Sequence, residues 1–251
     1  SGAGLSSADI RPGAADPAAA PAKTCKAAAP ASTCKDAAPA RTCKAAAAAG
    51  YGRCLPDREK KPGYETVIVA VLEKDDTELA AMSEDVRRYY PYETKLVNLC
   101  DYPFDGGCLG CFNCAVSGKC IYKDGFDDFL RSEIQTGSAI VYAYRVKDHS
   151  MGSVMKMFDD RQFCNGHRTV TMGMPIGYLV AGGLEGEANL RMIMEGRADV
   201  GGNFLAGIAE DTKGIKDLCK ALPYALRHKT EMPPTFLGVG GTKIFRDLIY
   251  V

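Results

Sequence analysis

The pattern of apolar and polar residues becomes regular at Glu65, where short apolar runs begin to alternate with amphipathic segments. Residues 66–72 (TVIVAVL) form a continuous apolar run, which is typical of a parallel strand buried on both faces. Comparable runs predict strands at residues 94–99, 138–144 and 174–180, and a fifth near 199–204. The chain is therefore predicted to contain a buried sheet of five strands.

The segments between these strands have helical periodicity. Residues 75–90 place Leu79, Met82, Val86 and Tyr90 on one face. Further helices are predicted at residues 124–134, 151–163, 185–195 and 213–222. Strands that alternate with helices indicate an α/β fold, a doubly wound parallel sheet in three layers, because right-handed crossovers put helices on both faces. In such a domain, ligands bind beyond the carboxyl ends of the strands.

Residues 1–62 differ from the rest of the chain, since they are rich in Ala and Pro and contain few large apolar residues. They include the repeat Thr-Cys-Lys, with its cysteines at Cys25, Cys34 and Cys43. A segment that cannot bury a core is expected to be disordered, so we predict a low-complexity tail. The alternative is that these cysteines and Cys54 bind a metal. The predicted divisions are this tail, a domain at 63–225 and a C-terminal arm at 226–251.

Four cysteines lie within thirteen residues in the loop after the second predicted strand: Cys108, Cys111, Cys114 and Cys120. Gly110 and Gly118 allow tight backbone conformations between them. Structural zinc sites usually take their ligands as two pairs from separate loops, whereas iron–sulfur clusters are bound by compact cysteine runs. The spacing favours a 4Fe–4S cluster; a zinc site and buried or disulfide-bonded cysteines are the alternatives. Cys100, Cys164 and Cys219 stand singly on apolar segments and are predicted to pack in the core.

Composition narrows the choice of partner and compartment. The 251 residues include 31 basic and 31 acidic side chains, a balance that argues against nucleic acid or an anionic membrane as the main partner. No run of 18 apolar residues occurs, so no transmembrane helix is predicted, and no signal peptide is expected at the start. Eleven cysteines in a chain with a substantial core indicate reduced thiols in a cytoplasm.

Several motifs together resemble one known family. They are the cysteine run, Lys156 with Asp160-Arg161, the Gly182-Gly183 turn and Glu210-Asp211-Thr212. Over residues 65–225 the chain resembles the iron–sulfur flavoproteins of the flavodoxin-like NAD(P)H-dependent FMN reductase family. The resemblance implies a flavodoxin-like fold and a 4Fe–4S cluster on the four cysteines that exchanges single electrons with FMN. It further implies a redox partner protein or nicotinamide cofactor, and assembly as a dimer or tetramer.

The resemblance also indicates which residues would meet the flavin. Tyr144, Arg145, Lys147, Gly182 and Gly183 correspond to the ring-binding edge, and Lys74 and Thr77 are the candidates for binding the phosphate. The family's Ser- and Gly-rich phosphate loop is replaced here by residues 73–78 (EKDDTE), whose four carboxylates repel a phosphate. FMN is therefore predicted to bind weakly or not at all.

Two functions follow from these observations. One is an electron-transfer oxidoreductase that resembles the iron–sulfur flavoproteins. The alternative is a non-catalytic interaction subunit with a structural cluster or zinc and no flavin.

Overall fold

The computed structural model describes residues 60–243, except for 103, 166–169, 234, 237 and 242. The predicted tail lies outside the described residues up to position 59, and with it Cys25, Cys34, Cys43 and Cys54. The end of the predicted arm, 244–251, also lies outside them.

Five parallel strands form a single sheet in the order β2-β1-β3-β4-β5. Their bounds are Lys61–Ala70 (β1), Tyr92–Asn98 (β2), Ala139–Arg145 (β3), Pro175–Ala181 (β4) and Phe204–Ala209 (β5). This is the strand order of flavodoxin, in which the crevice at the reversal of strand order receives the ligand. The predicted fold class is confirmed.

Helices cover both faces of the sheet. Their bounds are Thr77–Tyr89 (α1), Asn113–Ser117 (α2), Phe126–Phe129 (α3), Gly152–Arg161 (α4), Ala188–Val200 (α5) and Thr212–His228 (α6). Helix α3 continues as a π-helical turn, Leu130–Ile134, and 3₁₀ turns follow β2 at Leu99–Asp101 and α4 at Gln162–Asn165. The boundary predicted at residue 225 lies within α6.

Alternating side chains of the strands supply two separate cores. Val67 and Val69 of β1 pack on one side with α3, α4 and α5. Ile68 and Ala70 pack on the other side with α1 and α6. Because successive side chains of a strand point to opposite faces, a continuous apolar run such as β1 fits a sheet that is covered on both sides.

The fifth predicted strand, near 199–204, was placed wrongly. Helix α5 buries Leu190, Met194 and Ala198 along one face and extends to Val200. The turn at Gly201 and Gly202 follows, with Gly202 in the left-handed region at φ 64°, and β5 begins only at Phe204. The helical periodicity therefore continues through residues that the sequence analysis assigned to a strand.

None of the helices in the described part of the chain is long and apolar enough to cross a membrane.

Candidate functional site

The four-cysteine loop connects β2 to α3, and hydrogen bonds fix its second half. Asn113 donates to the Lys119 carbonyl oxygen at 2.9 Å, which closes the second half of the loop. The Cys120 amide donates to an oxygen of the Asp127 carboxylate at 2.8 Å. Arg131 donates to the carbonyl oxygens of Gly118 at 3.2 Å and Cys164 at 3.5 Å, so it ties the loop to the turn after α4.

The backbone of this loop turns through left-handed conformations. Gly110 and Gly118 have φ values of 64° and 72°, and Phe112 adopts φ 56° although it carries a side chain. A positive φ is uncommon for a bulky residue and marks a constrained turn. Because of these turns, cysteines that are separated along the loop lie close to one another.

All four predicted cluster ligands line one pocket, which we call the cysteine pocket. It encloses about 330 Å³ including its open mouth, and its walls are Cys108, Leu109, Cys111, Phe112, Cys114, Cys120, Ile121, Tyr122, Arg161 and Cys164. Cys108 and Cys111 are exposed, Cys120 is half-buried and Cys114 is buried. The pocket therefore has an outer edge at Cys108 and Cys111 and an inner wall at Cys114.

Cys164 is a fifth thiol in this pocket, and the sequence analysis assigned it only to the core. It is buried, as predicted, in the turn after α4. The neighbouring Phe163 carbonyl oxygen accepts a hydrogen bond from the Cys114 thiol at 3.2 Å. The two segments meet only through the tertiary fold, so the spacing of the cysteine run contained no signal for Cys164.

Arg161 forms the charged part of the inner wall, and its side chain is only 1% exposed. Its terminal nitrogens donate to the two oxygens of Asp124 at 2.9 and 2.8 Å and to the Gly106 carbonyl oxygen at 3.0 Å. The guanidinium lies 4.4 Å from the Tyr122 ring centre and 4.6 Å from that of Phe126.

Asp124 is itself held in place by backbone amides. It accepts hydrogen bonds from the amides of Asp105 at 3.3 Å and Phe126 at 3.2 Å. Burial would raise its pKa, but the Arg161 hydrogen bonds and these amides bring the pKa below its usual value, so Asp124 is ionised near neutral pH. Asp124 and Arg161 therefore form an oriented ion pair behind the pocket.

The thiols that line the cysteine pocket are of the kind that binds zinc or the iron of a cluster. Among the described residues, no group of three or more His, Cys, Asp or Glu side chains is arranged to hold one metal ion. A mononuclear zinc site must bring four ligands onto one centre. In a 4Fe–4S cluster each thiolate binds its own iron, so the four sulfurs do not have to meet at a single point.

The residues predicted to meet a flavin lie at the carboxyl ends of β1, β3 and β4, and Tyr144, Arg145 and Lys147 line a pocket there. This second pocket of about 350 Å³, the strand-end crevice, is lined by Val71, Glu73, Asp76, Tyr144, Arg145, Lys147, Met151, Gly152, Ser153 and Val154. Its cations are paired within the crevice. Arg145 binds Asp76 and also Glu78 at 2.7 Å, and Lys147 binds Glu73 at 2.5 Å.

The amides that open helix α1 are also engaged. The Asp76 amide donates to the Glu73 carbonyl oxygen at 3.1 Å, and the Thr77 amide donates to that of Asp75 at 3.0 Å. The Asp76 carboxylate caps the helix by accepting from the Leu79 amide at 3.1 Å. A phosphate bound at a helix N-terminus needs amides that are free to donate and a positive electrostatic potential. This end of α1 therefore does not fit the phosphate of FMN.

Of the other predicted flavin residues, only Tyr144 is among those that line the crevice. Tyr144 is buried and donates its hydroxyl to the Met194 sulfur at 2.9 Å, so it forms the floor. Lys74 and Thr77 are exposed and are not among the described residues that line the crevice. Gly182 and Gly183 both have positive φ, at 85° and 79°, and a side chain at Gly182 would meet Arg145.

Comparison with protein-family models and with curated proteins finds no match for this chain. Among solved structures it is similar to a WrbA-like flavodoxin from Agrobacterium tumefaciens, at 14% identity and a TM-score of 0.43, over 67% of this chain and 100% of that one. A second similar structure is an NAD(P)H:quinone oxidoreductase from Methanothermobacter marburgensis, at 14% identity and a TM-score of 0.44, over 66% and 99%. A third is the Trp repressor binding protein from Bacillus subtilis, at 12% and 0.41, over 64% and 96%. The fold assignment rests on the strand order of the sheet.

Proposed function

We propose that this chain is a one-electron transfer protein whose cysteine pocket holds a 4Fe–4S cluster on Cys108, Cys111, Cys114 and Cys120. The observation that supports it is that these four thiols line one pocket. When bound, the cluster supplies a centre that stores and releases one electron at a time. The chain's own residues bind that centre, orient it and limit its contact with water.

The exposure of the cysteines defines the route of the electron. Cys108 and Cys111 stand at the open edge, whereas Cys114 is buried beside the carbonyl oxygen of Phe163. Electrons would pass at the open edge, where Cys108 and Cys111 are exposed, whereas Arg161 in the inner wall is buried.

The rim of the pocket supports a protein as the exchange partner. Leu109, Phe112, Val116 and Ile121 are exposed around the cysteines, with Val116 at 91% and Leu109 at 65%. Clustered exposed apolar side chains of this kind mark a contact site on a protein surface. We propose that a redox partner protein docks here, next to Cys108 and Cys111.

The strand-end crevice has a smaller part in this proposal. A nicotinamide delivers its two electrons as a hydride, and a flavin normally separates them for a one-electron centre. Asp76 and Glu73 bind the nearby cations, and the first amides of α1 are used internally. We propose that FMN binds weakly in this crevice, so a partner protein rather than NAD(P)H exchanges electrons with the chain. The dimer or tetramer that the resemblance implies, and the cytoplasmic location expected from the cysteine content, belong to the same proposal.

The test is anaerobic purification of the full chain and of two variants, with iron, acid-labile sulfide, zinc and absorbance measured on each. The native chain is expected to be brown, with a broad visible absorption that dithionite bleaches. Cys111→Ser should lose most of its iron because an incomplete thiolate set exposes the cluster to solvent. Cys100→Ser is the matched control, since Cys100 is half-buried in the 3₁₀ turn after β2, and should keep the iron.

Three outcomes would overturn the proposal. Stoichiometric zinc without iron would assign the pocket to a structural metal. Equal iron loss in Cys100→Ser and Cys111→Ser would mean that the loop cysteines are not specific ligands. A cluster that binds but that no reductant reduces would favour the non-catalytic interaction subunit.

A further inference from the structure

Arg161 has one donor that the fold leaves unused. Among the residues that the structure describes, its Nε is a buried nitrogen without a hydrogen-bond partner, although the terminal nitrogens bind Asp124 and Gly106. Buried polar groups are paired in native proteins, and a buried charged group that keeps a free N–H is unusual. This donor is therefore available to an acceptor that the described protein residues do not supply.

The place of Arg161 indicates what that acceptor is. Its side chain is part of the wall of the cysteine pocket, together with Cys120, Cys164 and the other thiols. Thiolates and sulfides bound to iron carry negative charge and accept hydrogen bonds from N–H groups. The acceptor is therefore sulfur, the group that this pocket collects.

The guanidinium is also held in one orientation. Asp124 fixes its terminal nitrogens. The ring centres of Tyr122 and Phe126 lie 4.4 and 4.6 Å from the central carbon of the planar guanidinium. A planar group held in this way loses little further entropy when it forms one more hydrogen bond. Lysine could pair with Asp124 but has no second donor fixed at the position of Nε.

We propose that the Nε–H of Arg161 donates a hydrogen bond to a sulfur of the cluster in the cysteine pocket and thereby raises its reduction potential. This inference rests on the proposed function, because it needs the cluster. Reduction adds negative charge to the sulfurs, so a hydrogen bond to them stabilises the reduced form more than the oxidised form. Arg161 is in this sense a positioning and tuning residue, and the four cysteines remain the ligands.

The first test compares the midpoint potential of native protein with that of Arg161→Lys, by redox titration followed by electron paramagnetic resonance. The control is Arg197→Lys, because Arg197 is likewise an arginine in an ion pair, with Asp159 at 2.7 Å, but it is half-buried and does not line the pocket. Loss of one charge-assisted hydrogen bond should disfavour reduction about tenfold, which equals about 59 mV for one electron. Arg197→Lys should leave the potential unchanged.

The second test uses the native chain, so it does not depend on the variant's folding. Protein grown with arginine labelled with ¹⁵N at Nε is reduced and examined by pulsed electron paramagnetic resonance. A weak ¹⁵N coupling to the cluster is expected, lost in Arg161→Lys and retained in Arg197→Lys. A native cluster without this coupling, or an unchanged potential in an iron-replete Arg161→Lys, would overturn the inference alone. A native chain without iron would instead overturn the proposed function.

Discussion

Arg145 holds Asp76 through two hydrogen bonds, from Nε to Oδ2 at 2.9 Å and from a terminal nitrogen to Oδ1 at 2.7 Å. The pair joins the end of β3 to the first turn of α1 across the strand-end crevice. Arg145 was a candidate for binding FMN, and here it neutralises a carboxylate at the point where a phosphate would sit. The same contact therefore explains both why the carboxylate loop is tolerated and why the crevice is a poor phosphate site.

Removing carboxylates from this loop should strengthen FMN binding. Two like charges about 6 Å apart repel by roughly 2–3 kcal/mol at an effective dielectric near 20, before screening by salt. Asp75→Ser with Asp76→Asn removes two of them, keeps a capping side chain on α1 and leaves Arg145 with Glu78 as its remaining carboxylate partner. We expect weak or undetectable binding by the native chain and an affinity at least about tenfold higher in the double variant. Quenching of flavin fluorescence during titration measures the FMN affinity of the native chain and of the double variant.

The control for this experiment is Asp128→Asn with Asp217→Asn, which removes two exposed carboxylates from α3 and α6. It changes the net charge equally and should leave FMN binding as in the native chain. Tight stoichiometric FMN in native protein, unaffected by either pair of substitutions, would show that the phosphate is held elsewhere.

Asp76 should also contribute stability that depends on pH. Burial would raise its pKa, but the hydrogen bonds from Arg145 and the Leu79 amide lower it overall. A carboxyl with a lowered folded pKa stabilises the protein above its unfolded pKa, near 4, and this stabilisation disappears as the pH falls through the folded value. Asp76→Asn should therefore lower the free energy of unfolding by roughly 1 kcal/mol at pH 7 and by much less near pH 2.

Asp85 provides the opposite case within the same helix. Burial raises the pKa of Asp85, so its charged form is disfavoured in the folded protein. The free energy of unfolding of Asp85→Asn should therefore fall least, or even rise, at pH 7. Urea unfolding of the full chain and both variants at several pH values separates the two trends. Parallel pH profiles for Asp76→Asn and Asp85→Asn would contradict the assignment.

Two glycines should respond to alanine in opposite directions. A Cβ at Gly177, in the middle of β4, would lie 2.5 Å from Cδ1 of Leu218, which is buried on α6. Overpacking of this kind typically costs about 1–3 kcal/mol. Gly196 lies inside α5 with nothing within 4 Å of its Cβ position, so Gly196→Ala should stabilise by about 0.5–1 kcal/mol. Thermal unfolding of both variants checks the signs; stabilisation by Gly177→Ala would show that the core adapts.

Thiol reactivity should follow the described burial of the cysteines. After the metal is removed with a chelator, alkylation at pH 8 should label the exposed Cys108 and Cys111 before the other cysteines of residues 60–243. Cys219 should react slowly, because burial raises its pKa to about 12 and the thiolate is the reactive form. Mass spectrometry of the peptides measures each rate, and untreated anaerobic protein should show Cys108 and Cys111 protected. Early labelling of Cys219 would contradict the packing of α6 on α1.

Most of the fold could be predicted from apolar patterning. The runs that became β1, β3 and β4 are apolar on both faces, and Leu79, Met82, Val86 and Tyr90 are all buried as their spacing indicated. Strand β5 could not be placed correctly, since the helical pattern of α5 extends into the residues assigned to it. Local patterns are least informative where one element directly follows another.

The site was predictable only as far as it is local in sequence. The spacing of Cys108, Cys111, Cys114 and Cys120 pointed to a compact ligand set, and the repulsive loop at 73–78 was visible from its charges. Cys164 and the unused donor of Arg161 reach the same pocket only through the packing of the turn after α4 on the cysteine loop. Contacts of this kind between distant segments depend on how the crossover connections run, and the spacing of residues in the sequence does not predict them.

The most direct test of the central claim is Mössbauer spectroscopy of the full chain, isolated anaerobically from cells grown on ⁵⁷Fe, together with iron and sulfide analysis. If the four cysteines bind a cluster, the chain should contain about four irons and about four sulfides. Its Mössbauer spectrum should be that of electron-delocalised iron in a 4Fe–4S cubane. Iron in a single isolated tetrathiolate site, or a chain that carries stoichiometric zinc and no iron, would contradict it.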